Sequence, residues 1–247
     1  MTGFTVEELG SGVFFVNGRD VNWLLVREGR DLIAIDSGYP GYLAAFEASV
    51  SAIGGRLQDI RAVLLTHAHV DHMGAVNVLH ERFATPVYMD ALEVANARRD
   101  VLEQAGPADV ARNAWRPGVL PWALRIMRVG AMNDEAIRHA AAFPSAGPLD
   151  LPGHPLPVPT HGHTSGHSAY LLADAGVIVT GDALVTAHPV TSTRGPHVLP
   201  RYFNAGDARS GLDSLVGLQA DRIAPGHGPA GRLSITSAVE RARAEAG

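Results

Sequence analysis

The chain opens with short β-branched and aromatic runs over residues 12–16, 21–26 and 31–35, set apart by the polar pairs Asn17-Gly18 and Glu28-Gly29. This pattern predicts a meander of strands joined by tight turns. The third run ends at Asp36-Ser37-Gly38, where Asp36 serves either the turn or a hydrogen bond to a functional side chain. From Tyr42 to Ile53 the apolar spacing becomes helical, and Gly54-Gly55 ends it. The unbroken apolar run 62–65 then predicts a buried strand, followed by a helix from about Met73 to Arg82 and a short strand over 86–88. Strand and helix alternate, as in α/β proteins.

From Ala91 to about Phe143 the pattern changes to Ala-rich and Arg-rich helical segments broken at Gly106-Pro107 and Pro117-Gly118. No strand is expected there. This reads as a helical insertion within a single domain spanning residues 1–247, placed either as a lid or as a contact between two copies of the chain in a homodimer. Trp115, Trp122 and Met127 would line a substrate cleft or pack in the core. A Pro- and Gly-rich loop over 144–159 returns the chain to an edge strand at 156–160. Strands at 168–173, 177–180 and 222–224 and helices at 208–218 and from Ser234 onward complete the pattern. The second half repeats the first, implying two similar halves face to face with helices outside.

With 247 residues, 46% of them hydrophobic, the chain can bury one large core. The net charge of −5 and the absence of a Lys/Arg run argue against nucleic acid as a partner. No apolar run is long enough to span a membrane, and residues 1–10 lack the apolar core of a secretory signal. The expectation is a cytoplasmic protein with no membrane partner. There is no cysteine, so disulfides and thiolate ligands are excluded. Any metal chemistry falls to His, Asp and Glu.

Those residues are concentrated. Directly after the apolar run stands Thr66-His67-Ala68-His69-Val70-Asp71-His72. His67 and His69, two apart, can point to one side of an extended backbone, while Asp71 and His72 follow near a helix start. A mixed imidazole and carboxylate set suits zinc, with iron or manganese as alternatives. Three more stretches follow predicted strands: His161-Gly162-His163-Thr164-Ser165-Gly166-His167, Thr180-Gly181-Asp182 and Pro225-Gly226-His227-Gly228. Each places glycine beside a candidate ligand, which permits tight turns and close approach to a metal.

Together these motifs resemble the metallo-β-lactamase-fold hydrolases over nearly the whole chain. His67-Ala68-His69-Val70-Asp71-His72 matches the family's HxHxDH run. His163-Thr164-Ser165-Gly166-His167 resembles the GHTxGH segment of its glyoxalase II-like branch, and Asp182 and His227 stand in the expected Gly-Asp and Pro-Gly-His-Gly steps. The resemblance implies an αββα sandwich of two mixed β-sheets, with His67, His69 and His163 on one metal and Asp71, His72 and His227 on a second. Asp182 would bridge the two.

Departures from the family leave the branch open. Acyl-homoserine lactonases of this fold place a Tyr three residues after the bridging Asp, and here Val185 stands there. The Gly-Arg signature of glyoxalase II and persulfide dioxygenase relatives is missing from 183–193. The lack of a ligand cysteine and the bridging Asp182 disfavour a true β-lactamase. The lack of a basic arm disfavours a phosphodiesterase.

The expected activity is binuclear zinc hydrolysis of an ester, thioester, lactone or amide of a small molecule. A hydroxide between the metals would attack the carbonyl, and Asp71 would orient it and move the proton. The alternative is an iron-dependent, persulfide dioxygenase-like oxygenase, although His69 stands where flavin-linked di-iron relatives carry Glu. His167 would orient a ligand from behind or pack as a core histidine. His188, Arg194 and His197 would contact substrate or face water.

Overall fold

The computed structural model describes residues 3–133, 135–200 and 203–244. The first sheet has seven strands in chain order: β1 (Phe4–Gly10), β2 (Val13–Gly18), β3 (Trp23–Glu28), β4 (Asp31–Ile35), β5 (Ile60–Leu64), β6 (Val87–Met89) and β7 (Ala141–Ala142). Strands β1 to β4 run antiparallel and β4 to β7 parallel. The second sheet is built from β8 (Leu156–Pro159), β9 (Ser168–Leu172) and β10 (Val177–Gly181). After a separate hairpin of β11 (Val185–Ala187) and β12 (Arg194–His197) come β13 (Arg222–Pro225) and β14 (Gly231–Arg232). Its order is β14-β13-β10-β9-β8, with β10 and β13 parallel. Pro157 and Pro159 stand on β8 at the sheet edge, where a missing N–H leaves no ladder bond unmade.

Successive side chains on a strand face opposite ways, and here both faces are apolar. Leu24, Val26, Ile33, Ile35, Ala62 and Leu64 of the first sheet meet Tyr170, Leu172, Val177, Val179 and Ala224 of the second. Their neighbours Trp23, Leu25, Leu32, Ala34 and Val63 pack outward under α1 (Leu43–Ala52) and α2 (Val76–Phe83). On the far side Ala169, Leu171, Ile178 and Ile223 pack under α6 (Ile235–Ala244). This is the αββα sandwich.

Four short expectations are corrected. β1 was not anticipated, because its burial alternates among exposed glutamates and only Leu9 is fully buried. The helix expected from Met73 begins at Val76, since 73–75 turn out of the loop at 66–72. Residues 208–218 carry a 3-10 helix over Ser210–Leu215. The stretch 91–143 holds α3 (Val94–Ala97), α4 (Pro107–Asn113) and α5 (Val119–Arg128), but its end is the strand β7, paired in parallel with β6. Position 134 of that stretch lies outside the described residues. Among the described residues no helix is long and apolar enough to cross a membrane.

Candidate metal centre

Parallel strands deliver the candidate ligands to one end of the sandwich, beyond their carboxyl ends, where open α/β sheets place ligand sites. Leaving β5, the loop 66–72 carries His67, His69, Asp71 and His72. The turn between β8 and β9 carries His163, β10 ends at Gly181 just before Asp182, and β13 ends just before His227. Backbone freedom is needed here: a Cβ on Gly226 would lie 2.2 Å from Asp182 Oδ1, and Gly181 has φ +49 with His167 Nε2 2.7 Å from its would-be Cβ.

Three groups of ligand atoms converge, each within 4.8 Å: His67, His69 and His163; His67, His72 and Asp182; Asp71, His72 and His227. Asp182 lies among them, with Oδ2 3.5 Å from His163 Nε2 and 3.2 Å from His227 Nε2, and Oδ1 3.7 Å from His72 Nε2. Asp71 Oδ2 is 3.5 Å from His227 Nε2 and 3.8 Å from His72 Nε2.

Each imidazole has its other nitrogen committed. His72 Nδ1–H donates to Asp36 Oδ2 at 2.8 Å, His69 Nε2–H to the Glu103 carbonyl at 2.7 Å, and His227 Nδ1–H to the Asp20 carbonyl at 2.7 Å. His163 Nδ1–H donates to Asn204 Oδ1 at 2.7 Å; the Asn204 amide is oriented by donating to the Leu199 and Pro200 carbonyls. Thr66 Oγ1 donates to Asp36 Oδ2, so it accepts from His67 Nδ1–H at 3.0 Å. With the rings neutral, as metal binding requires, these bonds fix the tautomers and five lone pairs face one space. Two of them, on His163 Nε2 and His69 Nδ1, are 3.2 Å apart. With both other nitrogens donating, neither of these carries a proton to share, and the pair is suited to hold a cation. His67 Nε2, His72 Nε2 and Asp182 Oδ1 are likewise buried with no hydrogen-bond partner. The residues fit a metal.

The charges agree. Burial, reinforced by neighbouring imidazoles, pushes His67, His69 and His167 well below the usual histidine range, and burial lowers His163. Burial also pulls on His72, but the carboxylates of Asp36 and Asp71 outweigh it and hold the ring up at about 10. For Asp182 burial is outweighed by His227, His72 and His163, which hold the carboxyl well below its usual range.

Asp36, left between two readings, does both jobs. It sits at φ +61 after β4, and its carboxylate accepts from Thr66 N–H, Thr66 Oγ1–H and His72. His167 Nε2 accepts the Asp182 N–H at 3.1 Å while its Nδ1 faces Thr160 Oγ1. Glu93 had no sequence signal. Fully buried, it accepts from Ala68 N–H, Asn96 Nδ2–H, Thr164 Oγ1–H and Gly166 N–H, tying the loop at 66–72 to the turn at 160–167.

Beside the cluster opens a cavity of about 620 Å³, reached by His69, Asp71, His163, Asp182 and His227 at one end. Tyr39 is the hydroxyl-bearing residue among its described lining, held protonated by burial and then by Asp71. Trp122 and Met127 line it, and Trp115 does not. The structure does not bring His188, Arg194 or His197 to this lining. His188 Nδ1 accepts the N–H groups of Val190 and Thr191, which turns the ring inward, parallel to His197 at 6.0 Å. Arg194 is exposed and donates to the Thr193 carbonyl.

Residues 16–227 match the family model described as the metallo-beta-lactamase superfamily. The probable metallo-hydrolase YflN of Bacillus subtilis (strain 168) is 26% identical over 92% of this chain and 83% of its own length. A hydroxyacylglutathione hydrolase of Alkalilimnicola ehrlichii is 36% identical over 66% of this chain, which spans 46% of that enzyme. Among solved structures, a metallo-beta-lactamase family protein from Thermus thermophilus aligns with TM-score 0.69 at 21% identity, over 97% of this chain and 80% of that one. TTHA1623, crystallised in a di-iron-bound form, aligns with TM-score 0.55 at 26% identity, over 88% of this chain and 92% of that one.

Proposed function

The chain belongs to the metallo-beta-lactamase superfamily and is a metallo-hydrolase, and from that premise we propose that it uses a zinc pair to hydrolyse an ester, thioester, lactone or amide of a small molecule. His67, His69 and His163 would hold one ion, Asp71, His72 and His227 the other, and Asp182 would reach both. A metal pair so held supplies an activated water and a Lewis acid for a carbonyl oxygen. Structural zinc sites close with four ligands, whereas seven side chains shared by two ions leave positions open.

The protein's own residues do the rest. Asp71, partly exposed at the cavity, orients the attacking water and takes its proton. Asp36, Glu103, Asn204 and Asp20 hold four of the imidazoles in their ligating orientation, through the bonds described above. His167 fixes the Asp182 backbone, and so the place of its carboxylate. A cavity of this volume takes a small-molecule substrate.

The observation that carries this reading is the convergence of five imidazole lone pairs with Asp71 and Asp182. Its test is metal analysis of purified protein beside a panel of chromogenic esters, lactones and thioesters, repeated with His69→Ala. About two zinc ions per chain and an activity lost in the variant are expected. The di-iron form of TTHA1623 supplies the second reading: iron in the purified protein, oxygen uptake and no hydrolysis would replace the hydrolase with an oxygenase.

A further inference from the structure

The cavity beside the metal centre has two unlike ends. Its floor is the His and Asp cluster. Its opposite wall is made by α4 and α5 and the segments flanking them, and there the side chains are apolar: Leu102, Val110, Leu120, Leu124, Met127 and Met132. Five of these six are more than half exposed. Large apolar side chains gathered in the open mark a binding surface, since water gains nothing from them. On α5 both faces are apolar: Val119, Ala123 and Ile126 are buried, while Leu120, Leu124 and Met127 stand open along the cavity. One face holds the helix in place, which leaves the other free for a ligand.

Charge sharpens the point. All 20 basic residues are arginine and the chain has no lysine. No arginine lines the cavity among the described residues. Arg125, in the middle of α5, is drawn to the Asp20 carboxylate. A substrate laying a carboxylate or phosphate against this wall would give up part of that group's water with no arginine in the described lining to replace it, at a cost apolar contact would not offset. An apolar chain there loses only its water.

Resting on the hydrolase reading, we propose that the metal centre acts on neutral substrates bearing an extended apolar acyl group, seated along α4 and α5, and that anionic thioesters such as a glutathione conjugate are disfavoured. The reactive carbonyl would lie at the floor, and the chain would run toward Leu124 and Met132.

The test takes protein of measured zinc content and reads kcat/KM for neutral p-nitrophenyl esters from acetyl to decanoyl, beside esters of the same length ending in a carboxylate. The rise expected is roughly two- to fourfold per added methylene until the chain fills the cavity. The terminal carboxylate should cost about tenfold or more. A flat series, or carboxylate esters cleaved as well as neutral ones, would overturn the proposal while leaving the hydrolase intact. In a parallel arm the neutral fluorophore N-phenyl-1-naphthylamine is titrated into the same protein and displaced by alcohols of increasing length. If neither these esters nor the lactones and thioesters of the panel above are cleaved but displacement strengthens with chain length, the hydrolase reading fails and the apolar site stands; if neither cleavage nor displacement occurs, both fail. Leu124→Arg should shift the ratio of neutral to carboxylate ester rates by about tenfold toward the carboxylate, a gain that a misfolded variant would not show. An unchanged ratio would overturn the placement along α5.

Discussion

Between residues 93 and 132 one continuous stretch does two opposite things. Residues 93–104 brace the metal loop: Glu93 accepts the Ala68 N–H, Arg99 donates to the Ala68 carbonyl, the Glu103 carbonyl holds His69, and the Gln104 side chain accepts the Val70 N–H. Residues 107–132 send Arg125 to the Asp20 carboxylate and otherwise present leucine and methionine to the cavity. The brace is polar and inward; the wall is apolar and half open. Directional bonds fix ligand positions to fractions of an ångström, whereas apolar contact is non-directional and sets only what fits. On the proposed reading, chemistry would belong to the brace and floor, and choice of substrate to the wall.

The largest effect should come from the floor. Asp182→Ala removes the carboxylate between the two ligand groups, and both zinc content and hydrolysis should collapse, by more than the tenfold to hundredfold that loss of a ligand's hydrogen-bond partner costs. Asp36→Asn, which weakens such a partner, should fall within that tenfold to hundredfold range in metal affinity. Dialysis against graded chelator, followed by metal analysis, ranks the two. If Asp36→Asn left metal affinity unchanged, the floor would not depend on the bonds that hold it.

Next in size is the brace. Glu93→Ala leaves four donors facing a void, a loss of about 2–4 kcal/mol, or roughly 5–15 °C in melting temperature. The metal loop and the turn at 160–167 should loosen together, so metal affinity should fall with stability. A variant that melted normally would separate brace from floor.

The floor should also respond to pH, and the wall should not. His72 is held up at about 10 against an ordinary 6.5. A raised folded value means that protonated His72 stabilises the metal-free protein fully below about pH 6.5, and that this contribution is lost as pH rises through about 10. Metal needs the neutral ring and displaces that proton, so zinc affinity should climb by up to about tenfold per unit across the same window. The naphthylamine probe, touching no titrating group on the wall, should bind equally well throughout. A pH-independent zinc affinity would contradict the His72–Asp36 pairing.

How much of this could be read from the chain follows the same division. The candidate ligands stood out because an apolar strand run ends directly in clustered His and Asp, a local signal. Asp36 was half legible, since an Asp at φ +61 satisfies a turn whether or not its carboxylate reaches His72, 36 residues away. Glu93 and Asn204 were invisible, because their partners lie up to 73 residues off in sequence and only the fold brings them near. For His188, Arg194 and His197 a Pro-rich loop left contact with substrate and exposure to water equally open; the loop folds into β11 and β12, which leaves Arg194 exposed and buries both rings. The helices at 107–128 were visible as helices. Their open apolar face was not, for a leucine facing a cavity and one facing a core are the same letter.

The smallest effect tests whether wall and floor are separate at all. Trp122 of α5 packs edge-on against Phe203 at 5.8 Å, and Phe203 is followed directly by Asn204, which orients His163. This is one place where the apolar wall touches the loop that serves the metal. An edge-to-face pair is worth about 0.5–1.5 kcal/mol beyond its buried area, so Phe203→Leu should weaken binding of a long-chain ester by no more than about tenfold. If the two regions act independently, the change appears in KM while zinc affinity stays at the parent value. If zinc affinity falls with it, Asn204 has moved, and filling the wall with substrate would itself tighten the grip on the metal at His163. The comparison would then become a coupling, with the apolar chain of the substrate helping to assemble the site that cleaves it.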